Sequence, residues 1–446
     1  MPADDPAVIV LGAGPAGVVA ALRAARFGAR TALVTRDELG GMAADDGPVP
    51  VRTLAHAARL MREARQLGRY GISAGEPTLD YRRLLARVRE VTGPVRAHAL
   101  LRDELQQAGV TLYEHAGTAR FVAPHVIESE NGPRLRAANV IVCTGGVSRQ
   151  LPLPGFELTS THSDAWRLES APDSLLVIGA GATGVQVASI FNALGSRVTL
   201  FEAAPRIAGV RLVYSGSDAE AQIDATLAVV AVGWVANTDR LDLAVAGVET
   251  DPRGYIKVDS QLRTTAPGIY AAGDVTGHLM VVHEAAREAY LAATNATVGS
   301  TEVLPPEVSP LGSFTDPEYA SVGLSEATAR ETHDVVVGTE GFGTMPRPII
   351  DGRPTGFCKL VVDRGQHTIL GCHIVGERAV ELAQLAALAV ASGMKVEQLA
   401  LVPFSFPTYA NALGRAAVRA ARQLDSRSGW ADEGMAWDGV VAGLDD

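Results

Sequence analysis

Two glycine-rich turns are the residues whose types and spacing most clearly indicate chemistry in this sequence. Each turn follows an apolar run and opens an alanine-rich segment. Glycines at such spacing permit a tight turn, close backbone approach to a pyrophosphate and close helix packing, while the helix N-terminus offers N–H groups to the anion. We therefore expect two dinucleotide sites. The predicted binding residues are Gly12, Gly14, Pro15, Ala16 and Gly17 in the first turn, and Gly179, Gly181, Thr183 and Gly184 in the second.

The residue that ends the second strand of each unit adds a prediction about the nucleotide. Thr35 and Glu202 stand equally far from the first glycine of their own turns. A carboxylate at Glu202 would accept hydrogen bonds from an adenosine ribose and repel a 2'-phosphate, which favours NADH over NADPH. Arg206 could soften that preference, although it could equally be a surface arginine. Thr35 can make only a weaker, neutral hydrogen bond to a ribose.

Strands and helices must position these residues. Residues 7–11 and 31–34 flank the first turn as strands, and residues 174–178 and 197–201 flank the second, so both segments are predicted as βαβ units. Two further apolar runs, residues 140–146 and 268–274, end at small or acidic residues. We expect the second of these to end in an exposed carboxylate that holds a ribityl hydroxyl, before a helix at 282–295 directed at a flavin ring. The residues predicted to bind cofactor at these ends are Thr144, Gly145, Gly233, Gly273, Asp274, Met280, Val281, Val282 and His283.

Composition narrows the class of protein. Hydrophobic residues make up 47% and charged residues 20% of the 446 positions, which is typical of compact globular chains. The net charge of -11 without basic clusters argues against nucleic acid or an anionic membrane surface as a partner. No stretch has the length and apolarity of a membrane span. Only three cysteines occur, without metal-site or redox-motif spacing, so we expect no metal and a reducing cytoplasm.

From about residue 7 to about residue 420 the chain resembles the pyridine nucleotide-disulfide oxidoreductases, the family that includes dihydrolipoamide dehydrogenase and mercuric reductase. The motifs occur in the family's order: Gly12 to Gly17, Leu39-Gly40-Gly41, Gly179 to Gly184, Ala271-Ala272-Gly273-Asp274, Phe314-Thr315-Asp316-Pro317-Glu318 and Phe406-Pro407-Thr408. The resemblance implies an α/β fold with two Rossmann-like domains, for FAD and NAD(P), and a C-terminal α+β dimerisation domain that makes a homodimer. It assigns 1–150 and 240–304 to the FAD domain, 151–239 to the NAD(P) domain, 305–422 to dimerisation and 423–446 to an acidic tail.

The sequence departs from the family where the family's thiol chemistry takes place. Ala43 and Pro48 occupy the positions of the two redox cysteines, and Phe406 and Asn411 replace the histidine and glutamate that handle the thiol proton. None of these four residues can form a disulfide or shuttle a proton near neutral pH. The resemblance therefore predicts that dithiol chemistry is absent, that Cys143, Cys358 and Cys372 are buried and structural, and that Phe406, Tyr409 and Asn411 line the altered catalytic region.

A second departure concerns the charge beside the flavin. The family's lysine and its glutamate partner correspond to Arg52 and Gln186, so a positive charge remains while its neutralising partner is lost. An unbalanced Arg52 would favour an anionic reduced flavin. Alternatively, Asp45 or Asp46 pairs with Arg52. Gly41 and Met42, just before this segment, are predicted to contact FAD.

The family normally has several dozen more residues between Ile207 and the strand predicted at 226–232, so either the nucleotide domain is naturally reduced or this sequence omits a segment. This puts tight NADH binding in doubt more than FAD binding. Three functions remain open. In the first, NADH reduces the flavin, which then reduces a quinone or another conjugated small molecule directly. In the second, a flavin-dependent dehydrogenase or oxidase acts on a small metabolite with little NAD involvement. In the third, the protein is a dimeric scaffold that binds flavin but catalyses no reaction.

Overall fold

The computed structural model describes residues 5–99, 102–152, 154–202, 224–305 and 308–424. Two units divide the chain between Pro305 and Pro306. Arg206, the segment that the sequence predicts to be shortened and the tail from residue 425 lie outside the described residues. Each helix of the described ranges is too short or too polar to cross a bilayer.

The first unit contains strands and helices in alternation. Its strands are β1 (Val8–Leu11), β2 (Thr31–Val34), β3 (Thr111–Tyr113), β4 (Ala119–Ala123), β5 (Val126–Ser129), β6 (Leu135–Arg136), β7 (Asn139–Val142), β8 (Gly146–Ser148), β9 (Ser174–Ile178), β10 (Arg197–Phe201), β11 (Leu227–Val230), β12 (Trp234–Ala236) and β13 (Ile269–Ala271). Its helices are α1 (Pro15–Arg26), α2 (Gly41–Asp45), α3 (Pro48–Ala64), α4 (Tyr81–Ala99), α5 (Arg102–Gln107), α6 (His162–Ala165), α7 (Ala182–Ala193) and α8 (Val282–Val298).

A parallel five-stranded sheet with the order β13-β7-β1-β2-β3 forms the centre of the first unit. Side chains alternate across its central strand, because successive residues of a strand point to opposite faces. Val8 and Val10 pack beneath α1 and α8, whereas Ile9 and Leu11 pack with residues of the antiparallel sheet β4-β5-β6. Both faces are therefore covered, which explains why the strand is apolar throughout.

A second parallel sheet, β10-β9-β11, has three strands among the described residues. Its core includes Val177, Val187 and Phe191 together with Leu54 and Ala58 of α3. Helix α3 therefore packs against the second nucleotide fold as well as continuing from the first. Strand β11 is shorter than the predicted strand at 226–232, which loses its pairing with β9 after Val230.

The second unit is α+β. Its elements are β14 (Leu311–Ser313), β15 (Tyr319–Gly323), α9 (Glu326–Ala329), β16 (Val335–Gly341), α10 (Pro346–Ile350), β17 (Phe357–Asp363), β18 (Ile369–Val375), α11 (Ala379–Ala391), α12 (Val396–Ala400) and α13 (Asn411–Ala421). The strands form an antiparallel sheet with the order β14-β15-β18-β17-β16. Helices α11 and α13 share one buried core with this sheet. Helix α13 approaches it closely, because a Cβ at Gly338 would lie 2.1 Å from the Ala416 carbonyl oxygen. The predicted fold class is confirmed in both units.

Candidate functional site

The first glycine turn leaves room for a ligand at one glycine and none at the other two. Gly12 has a φ of +96°, and a Cβ there would lie 2.3 Å from the Cys143 carbonyl oxygen. A Cβ at Gly17 would lie 1.7 Å from the Gly12 carbonyl oxygen, so α1 packs directly on the turn. A Cβ at Gly14 would instead meet no other described atom within 4 Å. The turn therefore opens outward only at the N-cap of α1, where Pro15 and Ala16 begin the helix.

The second turn repeats this geometry. Gly179 has a φ of +102°, and a Cβ at Gly184 would lie 1.8 Å from the Gly179 carbonyl oxygen. Gly181 is the N-cap of α7, and a Cβ there would have no described neighbour within 4 Å. Thr183 lies in the first turn of that helix. The predicted strand-turn-helix repeat is confirmed. In neither helix does a described side chain cap the N-terminus by a hydrogen bond, and uncapped N–H groups at this position are suited to a phosphate.

Glu202 lies at the second turn, as its spacing predicted. It follows β10, and its Oε2 accepts a hydrogen bond from the backbone N–H of Ala180 at 2.7 Å. This bond places the carboxylate beside the turn, and a carboxylate is an acceptor of the kind that ribose hydroxyls require. Thr35, at the corresponding place in the first fold, is 8% exposed and donates its backbone N–H to Tyr113. The ribose roles of Glu202 and Thr35 stay predictions.

The carboxyl ends of β7 and β13 bring the predicted FAD residues together. The Thr144 hydroxyl is buried and has no hydrogen-bond partner among the described residues, and Gly145 beside it has a φ of +74°. The Asp274 carboxylate lies near Gly146 of β8, since a Cβ at Gly146 would be 3.8 Å from its Oδ2. Ligands of open α/β sheets bind beyond such strand ends. A buried hydroxyl without a partner in the protein fits a bound group there.

The expectation that Asp274 is exposed is wrong. Its side chain is half-buried, and burial followed by the nearby Glu288 carboxylate raises the pKa of Asp274. The chain turns back at this point, because Gly273 has a φ of +82° and a Cβ there would lie 3.2 Å from the Ala16 side chain. Helices therefore pack on both sides of the turn at Gly273, and they cover part of the Asp274 carboxylate although it directly follows β13.

The segment after the first turn returns to it. Gly41 has a φ of +56°, and a Cβ there would lie 2.9 Å from the Gly14 Cα atom. Gly40 also donates its backbone N–H to the Ala13 carbonyl at 2.9 Å. Met42 lies in α2, and its carbonyl accepts the backbone N–H groups of Asp46 and Gly47. Gly41 and Met42 therefore lie beside the first glycine turn, where they were predicted to contact FAD.

Ala43 lies within α2 and Pro48 is the first residue of α3, on either side of the short turn at Asp46 and Gly47. Arg52 is exposed on α3, and Gln186 lies on α7, where its Nε2 donates to the Ala182 carbonyl at 2.9 Å. The Asp46 carboxylate accepts a hydrogen bond from Arg167 at 2.6 Å, a partner that the sequence did not suggest. The Asp45 side chain lies outside the described residues. The flavin-charge role of Arg52 and Gln186 stays a prediction.

Helix α8 and the loops before it carry the remaining predicted residues of the first unit. Val281 is the N-cap of α8, and no described side chain caps it by a hydrogen bond. Met280 and Val281 are partly buried, while Val282 and His283 are exposed. Gly233 follows β11 with a φ of +104°, and its carbonyl accepts the Arg149 backbone N–H.

In the second unit the three predicted catalytic residues differ in exposure. Phe406 is 49% exposed, Asn411 begins α13 and is partly buried, and Tyr409 is only 4% exposed. The Tyr409 ring lies 5.7 Å from the Phe342 ring in the core, and burial together with the Asp351 carboxylate raises the pKa of Tyr409. Their catalytic roles stay predictions.

All three cysteines are buried free thiols, which confirms that prediction. The Sγ atoms of Cys358 and Cys372 lie 3.9 Å apart on the paired strands β17 and β18. The spacing of these cysteines in the sequence does not indicate this contact, because the pairing of the two strands creates it. Burial raises the pKa of Cys143, and the contact with Cys372 followed by burial raises the pKa of Cys358. Such thiols are poor nucleophiles.

Two open glycine turns at helix N-termini, a carboxylate at the second turn and an unpartnered hydroxyl at the strand ends fit FAD in the first fold and a nicotinamide nucleotide in the second. The fold and site therefore define the class of flavoproteins with two dinucleotide-binding folds.

Comparison with known proteins specifies the family. The family model for pyridine nucleotide-disulphide oxidoreductases matches residues 6–215 and 209–289, and the model of their dimerisation domain matches 309–417. The dihydrolipoyl dehydrogenase of Thermus scotoductus is 34% identical over 92% of this chain and 96% of its own length. That of Chlorobaculum tepidum is 31% identical over 94% and 97%. The chain belongs to the pyridine nucleotide-disulphide oxidoreductase family, whose members bind FAD and NAD(P).

A solved structure shows the same fold. The Cu(II) complex of the HOCl-induced flavoprotein disulfide reductase of Escherichia coli superposes with a TM-score of 0.80, over 93% of this chain and 99% of that one, at 23% identity.

Proposed function

We propose that this protein is an FAD-dependent oxidoreductase that passes hydride from NADH through the flavin directly to an external acceptor, without a redox disulfide. One observation carries the proposal. Ala43 in α2 and Pro48 at the start of α3 stand at the positions where the family has its redox cysteines, and the three cysteines of the chain are buried elsewhere. The relatives named above are disulfide reductases or dihydrolipoyl dehydrogenases, so the proposed chemistry departs from theirs.

FAD, when bound, supplies the hydride-accepting and hydride-donating chemistry. The residues of this chain bind and orient the two nucleotides. The N-terminus of α1 holds the FAD pyrophosphate, Thr144 and Asp274 hold polar groups beyond the strand ends, and the N-terminus of α7 holds the nicotinamide nucleotide. Glu202 selects NADH, because its carboxylate accepts ribose hydroxyls and repels a 2'-phosphate.

The acceptor we propose is a quinone or another conjugated small molecule. The side chains of Ala43 in α2 and Pro48 at the start of α3 are apolar, which suits a planar ligand. The matched dimerisation domain and the exposed apolar side chains of α11, Leu385 and Leu388, support a homodimer. A cytoplasmic location stays a prediction from the cysteine content.

A second function is favoured by the shortening of the nucleotide domain that the sequence predicts after Ile207. The alignment with the Thermus enzyme runs over 459 residues, more than the 446 of this chain, so that relative carries segments absent here. The two family-model matches also meet at 209–215. A shortened nucleotide fold would suit a dehydrogenase or oxidase that takes electrons from a small metabolite, with little use of NADH.

Anaerobic reduction of the bound flavin separates the two functions. The purified protein is mixed with NADH and, separately, with NADPH, while bleaching of the visible flavin band is followed. We expect rapid bleaching by NADH, no long-wavelength thiolate-to-flavin band, and reoxidation by added quinones. The sample pretreated with a thiol-alkylating reagent should behave identically. A bound flavin that neither nucleotide bleaches would contradict the proposal and favour the metabolite-oxidising function.

A further inference from the structure

Glu288 is a buried carboxylate in the middle of α8 that the proposed reaction does not use. It is 1% exposed. Its Oε2 accepts the Gly273 backbone N–H at 2.7 Å and lies 3.3 Å from the Thr276 hydroxyl, and its Oε1 lies 2.7 Å from His278 Nδ1. Burying an ionised carboxylate is costly unless it is paired and hydrogen-bonded. These three partners therefore account for its place in the core.

The three partners belong to one loop, residues 273–278, which follows β13. Glu288 binds this loop at its first residue and at its last. Between those anchors lies Asp274, whose carboxylate reaches toward Gly146 at the FAD end of the sheet. The start of the loop is also wedged between helices, because a Cβ at Gly273 would lie 3.2 Å from the Ala16 side chain and 3.3 Å from that of Ala285. One side chain of α8 thus fixes both ends of the loop that carries Asp274.

His278 is the only one of these partners with substantial exposure, at 45% of its side chain. Its Nδ1 is the ring atom that contacts the Glu288 carboxylate, and a ring nitrogen that carries hydrogen can donate to a carboxylate oxygen. This contact therefore ties the last residue of the loop that carries Asp274 to α8.

We propose that Glu288 and His278 are positioning residues for bound FAD, which hold Asp274 and the Gly273 backbone where a polyol chain of the cofactor meets the ends of β7 and β13. The role requires FAD in the first fold and is independent of the electron donor and of the acceptor.

The test compares His278→Ala with His278→Asn. The asparagine amide occupies the place of Nδ1 and can donate the same hydrogen bond, whereas alanine cannot. Holoproteins are diluted stepwise, FAD release is followed by the rise of flavin fluorescence, and circular dichroism of the visible flavin band reports the environment of bound FAD. We expect His278→Ala to weaken FAD binding roughly tenfold or more and to change the flavin dichroism. We expect His278→Asn to stay within about threefold of the wild type.

His333→Ala removes a partly exposed histidine from the second unit and serves as the control, with unchanged FAD binding. Glu288→Gln keeps an acceptor for Gly273 while removing the charge, and we expect an intermediate loss. His278→Ala within twofold of the wild type would overturn the inference, as would His278→Asn as weak as alanine, since the ring and not its hydrogen bond would then matter. Either result leaves the proposed hydride transfer standing, because wild-type reduction by NADH is measured separately.

Discussion

Arg62 of α3 donates hydrogen bonds to both the backbone carbonyl and the hydroxyl of Ser189 in α7, at 2.6 and 2.9 Å. One turn further on, Arg65 donates to the Ala193 carbonyl at 3.1 Å, at the last residue of α7. Arg65 thus satisfies the carbonyl of the last residue of α7, and Arg62 adds a second positive charge one turn earlier, which together complement the dipole of the helix whose N-terminus is the candidate nucleotide site.

Removing the contact between Arg62 and Ser189 should destabilise helix α7. We expect Arg62→Ala to cost about 1–2 kcal/mol, because a charged donor to a partly buried carbonyl is lost. The melting temperature should fall by about 2–4 °C per kcal/mol for a unit of this size. The dissociation constant for NADH should rise several-fold, measured by equilibrium binding. Arg59→Ala is the control, since Arg59 pairs with Glu63 on its own helix. Equal effects of the two variants would contradict the capping role.

The two open glycines should give separable defects. A methyl group at Gly14 or Gly181 meets no described atom within 4 Å, so each alanine variant should fold. We expect Gly14→Ala to lose FAD, and Gly181→Ala to keep FAD while binding NADH at least tenfold more weakly, because the methyl occupies the phosphate position. Flavin content and NADH binding measure the two effects. Loss of flavin in Gly181→Ala would show that the sites are assigned wrongly.

Glu202 should decide between the two nicotinamide nucleotides. We expect Glu202→Ala to raise the KM for NADH about tenfold and to narrow the difference from NADPH, since ribose hydrogen bonds and repulsion of the 2'-phosphate are both lost. Steady-state kinetics with each nucleotide provide the measurement. The control Glu128→Ala removes a glutamate that pairs with Arg120 in the antiparallel sheet. An unchanged preference in Glu202→Ala would place nucleotide selection elsewhere.

The three cysteine thiols should be unreactive toward thiol reagents in the native protein. We expect a thiol-specific chromogenic disulfide to label none of the three cysteines in buffer and all three in denaturant, because each is buried and unactivated. Catalysis with NADH and a quinone should survive the native treatment. Rapid labelling of one thiol together with inactivation would indicate a catalytic cysteine.

Glu340 should be essential to the second unit. Its carboxylate is fully buried and pairs with Arg415 at 2.9 Å and Arg419 at 2.6 Å. We expect Glu340→Gln to destabilise this unit by about 3–5 kcal/mol, because breaking a buried ion pair leaves charge behind. Glu326→Gln, at a half-buried network with Lys359 and Arg330, should cost no more than about 1 kcal/mol. Similar melting curves for the two variants would contradict the predicted importance of the Glu340 ion pairs.

The sequence by itself determined the two nucleotide folds and the absence of a cysteine pair at the α2–α3 turn. Gly12 and Gly17 could be interpreted because the strand, the turn and the helix they join are consecutive in the chain. Backbone sterics then restrict which residues can occupy each position, so the glycines reveal the turn directly.

Only the tertiary structure decided the contacts between distant segments. The burial of Asp274, the anchoring of its loop by Glu288, the approach of Cys358 to Cys372 and the capping of α7 by Arg62 all join residues whose spacing in the chain follows no local period. Such contacts depend on how helices and strands pack in three dimensions, and a single sequence records the residues without recording which of them meet.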